Sequence, residues 1–164
     1  MRRNMKAQQG ERPNVTRSMT RRHALAAVAV GTGVLLGLRS TSADAAEANA
    51  EVTKFTGGAD SRPGRITISL PELAENGNSV PLSVVIDSPM TPEDHVTEMR
   101  LIADRNPRPV IATFHFTPLT GRAEASTRIR LAATQNVIVL AKTSRGELLS
   151  DRRQIKVTIG GCGG

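Results

Sequence analysis

From residue 66 onward, apolar and polar side chains alternate in short blocks with a period of two. Ile66, Ile68 and Leu70 are separated by Thr67 and Ser69, and Val80, Leu82, Val84 and Ile86 repeat the pattern before Asp87-Ser88-Pro89 ends it. Such blocks predict strands with one buried face. Val96 to Ala103 has strand-like composition and is broken by Asn106-Pro107-Arg108-Pro109. Val110, Ala112, Phe114 and Phe116 then line one face, with Ile111, Thr113 and His115 on the other. The cleanest alternation follows: Ala123, Ala125, Thr127, Ile129 and Leu131 inward against Arg122, Glu124, Ser126, Arg128 and Arg130 outward. Val137 to Lys142, and then Ile155, Val157 and Ile159, complete seven predicted strands. Between them, Asn76-Gly77 signals a turn. Thr91-Pro92-Glu93-Asp94 reads as one helical turn, with a hydroxyl N-cap, proline at the first position and acids near the positive end of the dipole.

No stretch after residue 45 shows a helical period over three turns. Seven short strands joined by short turns predict an all-β fold over residues 65–159, an immunoglobulin-like antiparallel β-sandwich, with a small barrel as the competing architecture. The last strand leads directly into a flexible glycine-rich C-terminal tail, residues 160–164.

The chain ahead of the strands has a different character. Residues 1–20 are rich in Arg, Gln, Asn and Thr without apolar periodicity. Arg21 and Arg22 precede a weakly apolar run from Ala24 to Leu38, interrupted by Gly31, Gly33 and Gly37. At about 15 residues this run is shorter than the ~20 that span a bilayer, and Ala43-Asp44-Ala45 follows as a small-x-small cleavage site. Residues 1–45 therefore read as a cleaved signal peptide rather than a membrane anchor. The arginine pair resembles a twin-arginine signal, with Thr20 where Ser is usual and Ala24 where Phe is common, which predicts export of a folded protein to the periplasm. Residues 46–64 read as a polar leader.

Charge separates along the same boundary. The formal net charge is +7, yet from Ala46 onward 14 Lys and Arg face 13 Asp and Glu, a net of +1. A basic excess confined to the signal removes the main argument for nucleic-acid binding. Aromatic residues are Phe55, Phe114 and Phe116 only, so base- or sugar-stacking platforms are scarce. His95 has no cysteine or second histidine at ligand spacing and His115 falls on an outer strand face, so no metal is expected.

The chemistry concentrates in one atom. Cys162, the only cysteine, stands between Gly160-Gly161 and Gly163-Gly164. Glycines fix nothing, so the thiol reads as tethered rather than buried. A catalytic cysteine needs a base held in hydrogen-bond reach, and nothing near Cys162 in sequence supplies one. With an unperturbed thiol, roughly 3% is thiolate at pH 7, so activation falls to an enclosing partner site. A narrow strip reaching about 10 Å beyond the last strand suits a swinging arm that carries a covalent intermediate. Arg128 and Arg130 on the outward face are candidates to guide an anionic substrate or partner. An intermolecular disulfide, a structural or adhesive sandwich, and a periplasmic thiol enzyme remain alternative readings of the same features.

Four stretches carry a family resemblance: Val157 to Gly164, Pro71 to Asn78, Asp87 to Asp94 and Ser126 to Ala132. Together they resemble the SoxY family, the sulfur carriers of periplasmic thiosulfate oxidation, over residues from about 66 to 164. The resemblance implies an immunoglobulin-like fold, no cofactor of its own, and sulfur held covalently on Cys162. It also implies a heterodimer with SoxZ. Transient docking would then involve a haem cytochrome that conjugates thiosulfate, a metal-dependent hydrolase that releases sulfate, and a molybdenum-haem sulfur dehydrogenase. On that reading the chain is a substrate of its partner enzymes and not itself an enzyme.

Overall fold

The computed structural model describes residues 41–161. Within them one α-helix, α1 (Thr41–Thr56), precedes eight strands, with a 3-10 turn at Pro118–Thr120 between the fifth and sixth: β1 (Ile66–Ser69), β2 (Leu73–Asn76), β3 (Val80–Ile86), β4 (Val96–Ala103), β5 (Val110–His115), β6 (Ala123–Ile129), β7 (Gln135–Thr143) and β8 (Leu148–Ile159). The strands form two sheets, one ordered β1-β3-β6 and the other β2-β8-β7-β4-β5. Their inner faces share one core, to which Ile68, Leu82, Val84, Ile86 and Ile129 come from the smaller sheet and Met99, Leu101, Val137, Val139 and Ile155 from the larger.

The period-two blocks translate directly into this arrangement. β3 has Val80, Leu82, Val84 and Ile86 buried, with each alternate residue more exposed. β6 buries Ala123 and Ile129 and exposes Glu124, Ser126 and Arg128, as its alternation predicts. Within each sheet the pairing is antiparallel with one exception: β2 runs parallel to β8, with Leu73 opposite Lys156 and Asn76 opposite Ile159. The span predicted to be only a turn therefore supplies an additional strand before turning at Gly77, and the wholly antiparallel expectation fails at that edge. Four residues are too few for alternation to show.

Two further expectations are corrected. The Thr91–Asp94 segment makes no helix; it is a bend in which Thr91 Oγ1 accepts from the Asp94 N–H at 3.1 Å. The capping chemistry is present, but Asp94 leads straight into β4. The larger correction concerns the leader, because residues 46–56 belong to α1 and residue 62 is also paired. Arg62 donates its N–H to Leu148 O at 2.8 Å and accepts from Ser150 N–H at 3.0 Å, a parallel bridge at the start of β8.

Helix α1 lies on the outer face of the larger sheet. Ala48 and Phe55 are buried against Ile102, Leu140 and Leu148, with Val52 and Ile138 packed alongside. Positions 48, 52 and 55 follow the i, i+4, i+7 spacing of one helical face. Arg100 stacks over the Phe55 ring at 4.9 Å and pairs with Glu98 at 3.1 Å and Glu51 at 3.5 Å. This cover explains why β4 and β7 are buried on both faces along much of their length.

Candidate functional site

Strand β8 is the longest among the described residues, and its last residues position the tail. It pairs with β7 only as far as Ile155, opposite Gln135, and then runs on beside β2. Just ahead of β7, the Thr134 side chain substitutes for a strand neighbour: its Oγ1 accepts from Val157 N–H at 2.9 Å. Beyond Val157 a closed set of backbone hydrogen bonds takes over. Gly77 N–H donates to Ile159 O at 2.8 Å, Leu131 N–H to Gly77 O at 2.8 Å, and Gly161 N–H to Leu131 O at 2.9 Å.

These approaches depend on missing side chains. A Cβ on Gly77 would overlap Leu131 O and lie 2.7 Å from Gly161 N. A Cβ on Gly160 would overlap Ala132 O, and one on Gly161 would stand 2.8 Å from Gly77 O and 2.9 Å from Asn78 N. All of these neighbours are backbone atoms, which cannot swing aside as a side-chain end can. Gly160 and Gly161, expected to form part of a flexible tether, are instead packed at the end of β8, and Gly161 is buried. The glycines are needed at these two positions for closeness of approach rather than freedom. Cys162, Gly163, Gly164 and the signal residues Arg21 and Arg22 lie outside the described residues.

The turn that receives the tail is itself braced. Asn106 Nδ2 donates to Arg130 O at 2.9 Å, and Asn106 Oδ1 accepts from both Ala132 N–H and Gln135 Nε2, each at 2.9 Å. Gln135 is 2% exposed, and its Oε1 accepts from Arg105 N–H at 2.8 Å, so both ends of its amide are partnered in the interior. On the other side, Arg128 Nε donates to Ser79 Oγ at 2.6 Å and its Nη2 to Ser79 O at 3.2 Å. That contact ties β6 to the Gly77 loop. Asn106 had been legible only as a strand breaker, and Gly77 only as a turn residue. Gln135 carried a signal, since an amide in register with inward Val137 and Val139 marks a buried polar group that must have partners.

The histidines do not join this region as a cluster. His95 Nδ1 lies 3.0 Å from Thr91 O, and His115 is exposed on β5. Among the described residues, no group of three or more His, Cys, Asp or Glu is placed to hold a metal ion. No helix among them is long and apolar enough to cross a membrane.

The family model described as sulfur oxidation protein SoxY matches residues 52–162. The chain belongs to the SoxY family. A solved structure of the sulfur carrier protein SoxY from Chlorobium limicola f thiosulfatophilum is 30% identical, with 70% of this chain and 99% of that chain covered and a TM-score of 0.58. A superoxide reductase (neelaredoxin) from Ignicoccus hospitalis aligns at 14% identity over 57% of this chain and 80% of its own, with a TM-score of 0.52. At that identity the likeness is one of fold alone. A comparison with curated proteins found no match. The matched span opens inside α1, takes in all eight strands and ends on Cys162.

Proposed function

We propose that this protein is a covalent sulfur carrier that holds thiosulfate-derived groups on Cys162 and presents them to partner enzymes. The observation that carries this reading is the family match, whose final matched residue is the lone cysteine. The anchored Gly160-Gly161 segment supports a shorter arm than the full five-residue tail: the chain is gripped through Gly161 and the thiol follows one peptide later. The two packed sheets are the body from which that arm extends, in the manner of an immunoglobulin-like sandwich.

The chemistry follows from a thiol with no base of its own. Cys162 thiolate and thiosulfate join through a new sulfur–sulfur bond, and the two electrons released pass to a haem cytochrome partner. Hydrolysis of the bond to the sulfonate sulfur then releases sulfate, the added oxygen coming from water, and leaves a persulfide on Cys162. A metal-dependent hydrolase would perform that step, and a molybdenum-haem dehydrogenase would oxidise the remaining sulfur. In each step the chain is substrate and handle, and the cofactors belong to the partners. SoxZ is the proposed stable partner, and the periplasm, reached through the Arg21-Arg22 signal, the proposed compartment.

Mass spectrometry of the protein from thiosulfate-grown cells tests the carrier directly. Sulfane or sulfonate adducts confined to Cys162 are expected, with thiosulfate-dependent electron transfer abolished in Cys162→Ser. An unmodified Cys162 together with wild-type electron transfer in the serine variant would sink the reading.

A further inference from the structure

Strands β5 and β6 are end strands of their respective sheets, so one long side of the two-sheet body is left open between them. At one end of that side lies a cleft of ≈ 520 Å³. Its lining combines Val110 and Ile111 of β5 with Arg108 ahead of them, and Arg128 and Arg130 from the end of β6. No Asp or Glu is among the described residues that line it. Arg128 donates to the neutral Ser79, so its charge is oriented without being cancelled. Neither Arg128 nor Arg130 makes an ion pair among the described residues, whereas Arg122, two positions before the same strand's Glu124, does.

The position of the cleft matters as much as its charge. Arg130 is bonded to Leu131, whose carbonyl holds the Gly161 N–H, and its own carbonyl is fixed by Asn106. A sulfonate carried on Cys162 is limited by covalent geometry to about 10 Å from Gly161 Cα: one Cα–Cα step, the side chain, a disulfide-length bond and the sulfonate itself. Arg130 and Arg128 stand one and three residues before the carbonyl that anchors Gly161, so the cleft and the base of the arm share one chain segment. The planar guanidinium, always charged, matches oxyanion geometry with paired donors.

We propose that the Arg108–Arg128–Arg130 cleft is a binding site for a sulfur oxyanion, occupied by the sulfonate end of the group carried on Cys162. Docking there would park the loaded arm against the body between partner visits. A free sulfate or thiosulfate ion presents the same oxygens and is the other source the site would accept. The arm-bound source rests on Cys162 as the sulfur-bearing residue, and free-ion binding does not.

Side-chain Nε–Hε signals of Arg128 and Arg130, followed by NMR on the exported, processed chain at low ionic strength, distinguish the cases. Tetrathionate loads the arm without any other oxidant: the Cys162 thiolate attacks a sulfane sulfur, forms the sulfur–sulfur bond that carries the sulfonate, and expels thiosulfate. A methylthio cap on Cys162 is the uncharged control. We expect both arginine signals to move with the sulfonate cap and stay in place with the methylthio cap, and the movement to be lost in Arg130→Gln. In Cys162→Ser, added sodium sulfate or thiosulfate should titrate the same signals, and Arg130→Gln should raise the dissociation constant about tenfold, the weight of one charge-assisted hydrogen bond. Response in the free-ion experiment alone keeps the site and assigns it to free oxyanion. No response to either, against sodium chloride at equal ionic strength, overturns the proposal. Because loading is chemical, that failure would leave the carrier function itself untouched.

Discussion

Gly77 is the residue on which the tail's anchor turns. It donates to Ile159, accepts from Leu131, and leaves room for Gly161 where a methyl group would overlap backbone on two sides. Gly77→Ala should therefore displace either the Leu131 turn or the tail, costing about 1–3 kcal/mol as overpacking in a closely packed site does. The tail is the weaker partner, because it is held there by few bonds while the turn is braced by Asn106. We expect thermal unfolding to shift modestly and the Gly161 amide to lose its protection from hydrogen exchange. Protection retained at Gly161 in the alanine variant would show that the turn yields instead. Gly161→Val is correspondingly no neutral probe of arm width, since its side chain would press on Gly77 O and Asn78 N before any partner is met. The proposed role of the thiol came from composition and position, a lone cysteine set among glycines. The grip on its neighbours was not legible there, since closeness between Gly77, Leu131 and Gly161 joins residues far apart in sequence and leaves no periodic trace.

Among the elements, the strands other than β2 announced themselves and the helix did not, for a physical reason. A half-buried strand must alternate, so β3 and β6 are written plainly in the sequence. Helix α1 covers only part of one sheet and needs a single narrow stripe, Ala48, Val52 and Phe55, in an otherwise polar segment. The complementary sign lay in the sheet: Leu101-Ile102-Ala103 and Val137 to Ala141 are unbroken apolar runs, which a strand needs only when both faces are covered. Phe55→Ala removes the largest side chain of that contact and leaves Arg100 without its stacked ring. A cost of about 3 kcal/mol is expected, at the lower end for burying and then deleting a phenyl group. It should appear as loss of exchange protection in residues 46–56, with β7 amides protected as before. Equal loss across both elements would mean that α1 and the larger sheet unfold as one unit, and that the helix is integral to the core rather than laid upon it.

At the scale of the whole molecule, the proposed export signal and the described body have to be used in sequence. Helix α1 begins at Thr41, before the expected cleavage after Ala45, and its buried residues Ala48 and Phe55 fall after it. Processing near Ala46 would therefore trim the first turn while keeping the side chains that hold the helix to the sheet. Folding before export is compatible with this arrangement and is what the twin-arginine reading requires. Open end strands and exposed apolar side chains, Leu73 on β2 and Ile159 on β8 at 54% and 65% exposure, also leave surface for a second small β protein to cover. If that partner associates before export, one signal serves both chains. Changing Arg21 and Arg22 to Lys should then leave both proteins in the cytoplasm, this chain with its signal attached, and cell fractionation with native mass spectrometry of each fraction would read the result. A processed monomer in the periplasm of the double-lysine strain would reject folded export and prior assembly together. A partner found in the periplasm without this chain would reject shared export alone.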